Sequence, residues 1–319
     1  MRWSLYALLI GFCIDLILGD PHGLPHPVVA IGRLIAVLEK VFRSIFPKTD
    51  RGEKLAGALL WIVVVLVSTM LPVVLLRGCM SISPWLRLAM ESIMCWQILA
   101  VRSLRVEAMK VYRALSSEGI EKARHAVSMI VGRDTARLDR EGVIKAAVET
   151  VAENTSDGVI APMLFIALGG APLGFFYKAV NTMDSMLGYT DPPYNNIGLV
   201  SAKADDAANF IPARLSAVLL LAAGAFLKLD CKNGWRIFCR DRYNHASPNS
   251  AQTESMTAGL LGLRLSGDAW YHGVLHKKQY IGDLIRTPEM EDIPGTCRLM
   301  TVSAIIMLAL ITAVKLLLI

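Results

Sequence analysis

Apolar residues follow one another in long runs along this chain, whereas a soluble core would show short periodic stripes. The clearest run, 56–76, has no charged residue, and a helix of this length covers the ~30 Å hydrocarbon layer of a bilayer. The pattern therefore predicts an all-α, polytopic membrane helix bundle. The predicted membrane segments are 3–19, 56–76, 85–101, 158–177, 210–229 and 300–319.

Three of these segments depart from a simple apolar span. Segment 85–101 contains Glu91. Segment 158–177 has a Gly-Gly-Ala-Pro sequence at its middle, and segment 210–229 has Pro212 near its start. Irregular backbone at membrane depth is tolerated where it lines a cavity walled by protein. An alternative arrangement therefore has four full spans, with 158–177 and 210–229 both re-entrant.

The composition excludes a soluble enzyme, because 54% of the 319 residues are hydrophobic, 19% are charged and the mean hydropathy is +0.47. In such a protein the net charge of +6 reports loop orientation and not a nucleic-acid partner. The one charge in the last segment, Lys315, lies near enough to the segment end to snorkel. We therefore expect a single integral membrane domain over 1–319, located in the cell membrane.

Basic residues are concentrated in three long connections, 20–55, 102–157 and 230–299, which hold six, ten and nine Lys+Arg. The N-terminus, 77–84 and 178–209 hold four between them. Because basic residues accumulate on the cytoplasmic side, the long connections are predicted to be helical cytoplasmic loops. The same count places 178–209 outside, whereas the re-entrant arrangement returns it to the cytoplasmic side.

Polar residues concentrate at four places where predicted helices meet the membrane surface. The first is the sequence GDPHGLPHP, in which Asp20, His22 and His26 follow an apolar helix. Three prolines remove backbone freedom from this turn, so it can hold an imidazole and a carboxylate in a fixed relation. A plain helix-ending turn at the interface explains the sequence equally well.

The second cluster is the sequence AVETVAENTSDGVIAP. On a helix, Glu149 and Glu153 share a face with Ser156, and Asn154 and Asp157 flank that face. Like charges at this spacing repel, so a cation or a basic partner would make the arrangement favourable, and Mg²⁺ suits such oxygen ligands. A solvated helix end is the alternative.

The third cluster carries charges of both signs close to the predicted membrane segments. An ionisable residue against the bilayer is expensive and is presumed functional unless it is paired. Basic side chains suit phosphate, and paired acids suit Mg²⁺. Its charged and amide residues are Lys178, Asn181, Asp184, Lys203, Asp205, Asp206 and Arg214.

The fourth cluster, HASPNSAQTESMTAGLLG, places His245, Ser247, Asn249 and Glu254 in a turn that leads into a helix of small residues. Either Ser247 or Ser250 is expected to cap this helix, and the N–H groups at its start would bind an anion. Capping alone is the structural alternative.

The sequence contains no GxxxxGK[ST] loop, no GxGxxG turn after a strand and no GxSxG elbow. Phosphates would therefore be held by carboxylate-bound Mg²⁺ and scattered basic residues. His272 and His276 have i, i+4 spacing but lack the acid of an HExxH motif, so a metal site there is not favoured.

Five ordered motifs, GDPxxxPHPVxxIG, ETVAENTSDGVIAPMLF, KAVNTMDSMLGY, AKADDAANFIPARL and HASPNSxxxE, resemble those of the CobD/CbiB family of cobalamin biosynthesis, the adenosylcobinamide-phosphate synthases. The resemblance runs from about residue 9 to residue 285. Two positions depart from the family pattern. Ser250-Ala251 stand where a glycine usually follows SPN, and Lys278-Gln279 precede Gly282 where the family usually has a Lys/Arg-Pro pair.

The resemblance implies ATP-dependent amide ligation of adenosylcobyric acid to (R)-1-amino-2-propanol O-2-phosphate, or a close analogue. A carboxylate is a poor electrophile and must first be activated, plausibly as an acyl phosphate, which calls for Mg²⁺ and positive charge around ATP. A general base must then deprotonate the amine. The expected cofactors are ATP and Mg²⁺, and the expected partners are both substrates, the lipid bilayer and other membrane or soluble enzymes of corrinoid assembly.

On this hypothesis each polar cluster supplies part of one site. The catalytic candidates are Glu149, Glu153, Asp184 and His245, with Asp184 and His245 as bases. The Mg²⁺ candidates are Glu149, Glu153, Asp157, Asp205 and Asp206. The residues predicted to bind the substrates or their phosphate groups are Asp20, His26, Asn154, Lys178, Asn181, Lys203, Arg214, Ser247, Asn249 and Glu254.

Two other classes of protein fit the pattern. A transporter would also show broken helices and polar residues inside the membrane. A non-catalytic membrane sensor related to AmpE-type proteins would tolerate loss of both Glu149 and Glu153. The density of acids, bases and asparagines at several junctions between loops and helices favours an enzyme over both.

A single cysteine introduced at Asn195, in a chain without its native cysteines, tests the side of the membrane on which 178–209 lies. The six-span arrangement predicts labelling by an impermeant thiol reagent from outside only. Labelling only from the cytoplasmic side would contradict this arrangement and support the re-entrant one.

Overall fold

The computed structural model describes residues 2–21, 23, 26–189, 191–271 and 273–318. Within them the chain is overwhelmingly helical, which confirms the all-α class. The α-helices are α1 (Arg2–Leu18), α2 (Pro27–Ile45), α3 (Asp50–Ile82), α4 (Pro84–Ile98), α5 (Val101–Arg113), α6 (Ile120–Ser128), α7 (Arg140–Asn154), α8 (Ala161–Leu187), α9 (Leu199–Phe226), α10 (Cys231–Asp241), α11 (Ser250–Leu261) and α12 (Asp292–Leu317). Two π-helical segments are Ala114–Glu118 and Thr155–Ile160, and four strands are β1 (Leu265–Ser266), β2 (Ala269–Tyr271), β3 (Val274–His276) and β4 (Tyr280–Ile281).

Four helical stretches of the described chain are long and apolar enough to cross a membrane: Asp50–Ile82, Arg140–Leu187, Leu199–Phe226 and Asp292–Leu317. A shorter apolar helix covers Trp3–Leu18. These stretches make the chain a multi-pass membrane protein. The expected span at 85–101 is not among the four, because α4 is short and carries charges.

The exposed face of α3 is apolar. Leu66, Leu71 and Val74 are 53%, 57% and 64% exposed, although each lies within a helix of mostly apolar residues. A large apolar face that no protein covers is unfavourable in water but suits a lipid environment. The exposure pattern therefore agrees with the predicted span.

The break expected at the Gly-Gly-Ala-Pro sequence is present, since Gly169 and Gly170 have non-helical backbone angles inside α8. Gly170 has φ +70°, a conformation that glycine adopts without strain. The corresponding break expected around Pro212 is absent, and α9 continues through this proline.

The prediction of a helical connection over 230–299 is correct for α10, α11 and the first residues of α12, which begins at Asp292. The segment between α11 and α12 instead contains two short antiparallel strand pairs, β1 with β4 and β2 with β3. Gly267, Gly273 and Gly282 have positive φ at the turns of this region, so the chain reverses where a helix would require regular angles. The Gly282 amide donates 2.7 Å to the buried Asp241 carboxylate, which attaches β4 to α10.

The helices form two compact units that alternate along the chain. The first comprises 1–99, 161–209 and 311–319, and the second comprises 100–160 and 210–310. In the first unit, α1 packs on α4 and α8, while α3 packs on α2, α4 and α8.

In the second unit, α10 packs on α11 and α5 packs on α6 and α7. Its apolar cluster consists of Ala217, Leu220, Ala223, Phe238, Met256, Leu260 and Leu299. Helix α11 is buried from Ala251 to Leu260 even though half of its residues are polar. A polar helix in this position indicates a role beyond core packing, because buried polar groups must be hydrogen-bonded.

A close backbone contact in the first unit depends on Gly57 of α3. A Cβ at this position would lie 2.0 Å from the Ile197 carbonyl oxygen, whereas a Cβ at Gly78 of the same helix would meet nothing within 4 Å. We expect Gly57→Ala to destabilise the protein by about 1–3 kcal/mol, as overpacking does. Gly78→Ala should leave the thermal unfolding midpoint in detergent unchanged or raised, because alanine favours helix. Equal midpoints for the two variants would contradict this contact.

Candidate functional site

In the second unit, the Glu149 carboxylate joins three segments of chain. Its Oε2 accepts a short hydrogen bond from Arg133, which lies in the turn before α7. Its Oε1 accepts the Ser266 backbone N–H of β1 at 2.7 Å. Glu149 is 4% exposed, so its charge is balanced by a guanidinium and an amide dipole at close range. These contacts give it an anchoring role.

Glu153 lies one helical turn beyond Glu149 and is less buried. Its Oε1 accepts the hydroxyl of Ser250, the first residue of α11, at 2.8 Å. The side chain of Ser250 therefore contacts α7, and the expected cap by Ser250 is not formed. The N-cap residue is Asn249, and its side chain makes no capping hydrogen bond.

Glu254 is the third carboxyl group of this cluster, and it is 5% exposed on the buried helix α11. Burial raises the pKa of Glu254 well above its usual range, and the negative charges of Glu153 and Glu149 raise it further. Arg133 and Lys278 oppose this effect but do not outweigh it. The Glu254 carboxyl group therefore holds a proton where an exposed glutamate has lost it.

His245 lies in the same electrostatic environment. Burial lowers the pKa of His245, in opposition to the Glu153 charge, so the neutral imidazole is favoured. Its Nδ1 accepts the Ser247 backbone N–H at 3.1 Å. In the neutral ring the proton then resides on Nε2, which makes this nitrogen a hydrogen-bond donor.

Asn249 contacts Arg214, which was predicted to bind a phosphate group. The Arg214 Nη1 donates 3.1 Å to the Asn249 Oδ1 and 2.7 Å to the Phe210 carbonyl, and the guanidinium lies 3.7 Å from the Phe210 ring centroid. The structure therefore brings two predicted residues together. Ser247 Oγ accepts the Asn249 N–H at 3.3 Å, which shapes the turn before α11.

The helix containing the second motif changes its hydrogen-bond register at Thr155–Ile160, a π-helical segment. Single π-turns of this kind often mark functional sites. The expected common face of Glu149, Glu153 and Ser156 ends here, because Ser156 lies in the widened turn. Asn154 donates 2.9 Å to the Thr150 carbonyl of its own helix, and Asp157 is half-buried within the π-segment.

In the first unit, a buried amide network surrounds Asp205 of α9. The Asp205 carboxylate accepts hydrogen bonds from Asn209 at 2.9 Å and from Asn181 of α8 at 3.3 Å. The Tyr177 hydroxyl completes the network by donating 2.9 Å to Asn209 Oδ1. The structure thus brings Asn181 and Asp205 together, and this contact ties α8 to α9.

The other predicted residues of the third cluster lie on the same two helices. Lys178 and Asp184 are half-buried on α8, which is helical over this stretch as expected. On α9, Lys203 is exposed and Asp206 is half-buried. Gly188 closely follows Asp184, and a Cβ there would lie 1.9 Å from the Asp184 Oδ1.

In the first cluster, the His26 Nε2 lies 3.5 Å from the Asp20 Oδ1. The His26 Nδ1 accepts the Val28 N–H at 3.3 Å and caps α2. The expected fixed relation between an imidazole and a carboxylate is therefore present. His22 and His272 lie outside the described residues, and His276 is exposed on β3, so helical spacing does not apply to it.

The described residues contain no group of three or more His, Cys, Asp and Glu side chains arranged to hold a metal ion. Glu149 and Asp205 already accept two protein hydrogen bonds each. A Mg²⁺ ion commonly takes only one or two carboxylates together with substrate phosphates and water. Of the predicted ligands in the second unit, Glu153 fits this mode, since its carboxylate is half-buried and accepts the Ser250 hydroxyl through Oε1.

Several residues that complete these hydrogen-bond arrangements were not predicted as site residues from the sequence. Arg133 was visible only as part of a helix break, and Ser266 contributes a backbone amide that no side-chain pattern reveals. Tyr177 lies in an apolar run, and only its distance to Asn209 shows its polar function.

Comparison with known proteins agrees with the motif order. The sequence profile of the family described as CobD/Cbib protein matches residues 8–300. The cobalamin biosynthesis protein CobD of Clostridium perfringens is 45% identical over 289 residues, which is 91% of both chains. The CobD protein of Klebsiella pneumoniae is 45% identical over 312 residues, or 98% of both chains.

A third relative, the cobalamin biosynthesis protein CbiB of Salmonella typhimurium, is 44% identical over 312 residues and 98% of both chains. No solved structure matches this chain. The profile and these relatives cover nearly the whole sequence, including every polar cluster described above. The chain therefore belongs to the CobD/CbiB family.

Proposed function

We propose that this protein acts in cobalamin biosynthesis as an ATP-dependent amide ligase that joins adenosylcobyric acid to (R)-1-amino-2-propanol O-2-phosphate in the cell membrane. Its relatives are named as cobalamin biosynthesis proteins. The observation that carries the proposal is the acid cluster of the second unit. Glu254 is buried on α11, and its pKa is raised by burial and by the charges of Glu153 and Glu149, whereas Glu153 is half-buried on α7. A carboxyl group whose neutral form is favoured, in one cluster with a more accessible acid, suits a reaction that both donates and accepts protons.

The first half of the proposed reaction activates the corrinoid carboxylate. A carboxylate oxygen attacks the γ-phosphorus of ATP, the bond to ADP breaks, and an acyl phosphate forms. Charge develops on the transferred phosphoryl group, so cationic side chains near it lower the barrier. Arg214 and Lys278 are the proposed phosphate-binding residues of the second unit, and Lys178 and Lys203 are those of the first.

The second half forms the amide. The amine nitrogen attacks the acyl carbon, the carbon–oxygen bond to phosphate breaks, and phosphate leaves. Glu153 is the proposed base that takes the amine proton, because its carboxylate is half-buried and therefore remains accessible to a substrate. His245 presents Nε2–H and is better suited to donate a hydrogen bond to the acyl oxygen than to act as a base.

The remaining residues have positioning roles in this proposal. Glu149 holds Arg133 and β1 in place. Asn154, Asn181 and Asn249 orient the substrates, and Asp184 remains an alternative base. Mg²⁺ held by Glu153 and the phosphates of ATP would supply charge neutralisation, with Asp157, Asp205 and Asp206 as further candidate ligands.

Glu153→Gln tests the proposed base. We expect at least a ~100-fold loss of amide formation, the lower end of what general acid–base groups contribute. The assay supplies purified protein in nanodiscs with ATP, Mg²⁺ and both substrates, and follows the corrinoid product by mass spectrometry. Glu141→Gln is the matched control, because Glu141 is an exposed acid of the same helix.

Wild-type product formation in this assay supports the ligase, and its absence with every component present would overturn it. Retained ligation by Glu153→Gln would sink the assignment of the base alone. Corrinoid flux across sealed vesicles, without amide formation, would instead identify a transporter.

The pH dependence of stability tests the state of Glu254. Its folded pKa lies above the unfolded value of 4.5, so the proton stabilises the fold below pH 4.5 and this contribution is lost as pH rises toward the folded pKa. Glu254→Gln removes the titrating group. Its thermal midpoint in detergent should therefore rise relative to wild type as pH increases from about 4.5 to neutrality. The opposite trend would mean that Glu254 is ionised and stabilised by Arg133 and Lys278.

A further inference from the structure

A cavity of about 450 Å³ in the first unit lies apart from the residues assigned to ligation. Its polar lining consists of Ser4, Arg77, Arg87, Glu91 and Lys315, beside the kink of α8. We call it the Glu91 cavity. Three cationic side chains and one carboxylate therefore line it, among the described residues.

Glu91 is built into this cavity by the α8 kink. Its side chain is 1% exposed, and its Oε1 accepts the Ala171 backbone N–H at 3.4 Å. A Cβ at Gly170 would lie 2.5 Å from this oxygen, and the residue has φ +70°. Only glycine therefore lets the backbone approach the carboxylate in this conformation.

Two polar atoms in the cavity lack hydrogen-bond partners among the described residues: Glu91 Oε2 and Arg87 Nε. The Arg87 Nη2 lies 3.6 Å from Glu91 Oε2, which is an ion pair but is longer than a hydrogen bond. A buried acceptor and donor left in this way cost free energy unless a ligand satisfies them. The cavity thus presents one acceptor and one donor to a ligand.

Lys315 also points into the cavity, although its position near the end of α12 led us to expect that it snorkels. It is 8% exposed and donates 3.2 Å to the Ser4 hydroxyl. Its charge interacts with that of Glu91. A lysine buried in a membrane-spanning helix is expensive, and the Ser4 hydroxyl and the Glu91 charge compensate it here.

Several polar lining residues lie near the ends of apolar helical stretches, where a membrane helix meets the lipid headgroups. Arg77 directly follows the charge-free run 56–76, Ser4 lies near the start of α1, and Lys315 lies near the end of α12. The apolar part of the lining includes Leu168, which is 70% exposed and thus available to an acyl chain. A polar cavity with an apolar, exposed wall fits an amphiphile better than a fully water-soluble molecule.

We propose that the Glu91 cavity binds the headgroup of a membrane phospholipid that carries a primary ammonium, as in phosphatidylethanolamine. The phosphodiester is bound by Arg77, Arg87 and Lys315, because guanidinium and ammonium groups are the natural donors to phosphate. The ammonium donates a hydrogen bond to Glu91 Oε2. The cavity volume is within the range of small-ligand pockets, so it holds a headgroup and leaves the acyl chains in the bilayer.

Headgroup methylation tests this assignment on the unmodified protein. Full-length protein in lipid-free detergent is titrated with short-chain phosphatidylethanolamine, its N-methylated series up to phosphatidylcholine, and phosphatidylglycerol, with native mass spectrometry as the readout. We expect phosphatidylethanolamine to bind at least ten times more tightly than phosphatidylcholine, whose quaternary ammonium has no N–H, and than phosphatidylglycerol, which has no ammonium. Equal affinities across the series would overturn the proposal.

Glu91→Gln should remove most of the preference for phosphatidylethanolamine over phosphatidylcholine, while Glu118→Gln, which changes an exposed acid of the second unit, should keep it. Retention of the full preference by Glu91→Gln would contradict the proposed contact. If glycerophosphoethanolamine binds as tightly as the lipid, or if 1-amino-2-propanol phosphate displaces the lipid at equal concentration, the ligand is water-soluble and the lipid assignment is wrong. Neither result depends on whether the protein forms amides.

Discussion

Ionised carboxylates lose several kcal/mol of hydration when a fold takes them out of water, so each buried acid of this chain must be compensated by donors or by a proton. The groups that compensate the buried carboxyl group differ from site to site. Glu149 accepts a guanidinium and a backbone amide, and Asp205 accepts two side-chain amides. Glu91 has an arginine at ion-pair distance and a backbone N–H from a kinked helix, whereas Glu254 keeps its proton. These compensating groups determine which helices lie next to each other.

The second unit shows how this constraint can serve chemistry. Helix α11 is buried and places Glu254 near Glu153, so the two acids cannot both ionise cheaply. Glu153 is more accessible, and its Oε1 accepts the hydroxyl of Ser250. Burial also lowers the pKa of His245 and favours the neutral ring. Because its Nδ1 accepts the Ser247 backbone N–H, the ring proton resides on Nε2. An electrostatic arrangement that separates a proton donor from a proton acceptor is what an amide-forming site requires.

The sequence was sufficient to predict the features that depend on local patterns. Long apolar runs predicted the four long apolar helical stretches, and the Gly-Gly-Ala-Pro sequence predicted the kink of α8. Each of these follows from residues that are neighbours along one helix or from the hydrophobicity of a single stretch. The continuity of α9 through Pro212 was missed, because a proline weakens a helix but does not always break it.

Features that depend on distant partners could not be predicted. Lys315 is near a helix end, where lysine normally reaches water, yet it turns toward Ser4, which lies 311 residues earlier. Arg133 precedes Glu149 by 16 residues and Ser266 follows it by 117 residues, yet both donate to its carboxylate. The strand pairs of the connection 230–299 are too short to leave a period-two pattern.

The protonation of Glu254 can be measured directly by infrared difference spectroscopy on the purified protein in lipid at neutral pH. A protonated carboxyl group has a carbonyl stretching band that a carboxylate lacks. If Glu254 is protonated, we expect such a band in the wild type, its loss in Glu254→Gln and its retention in Glu141→Gln. A wild-type spectrum in which Glu254→Gln removes only carboxylate bands would contradict the account.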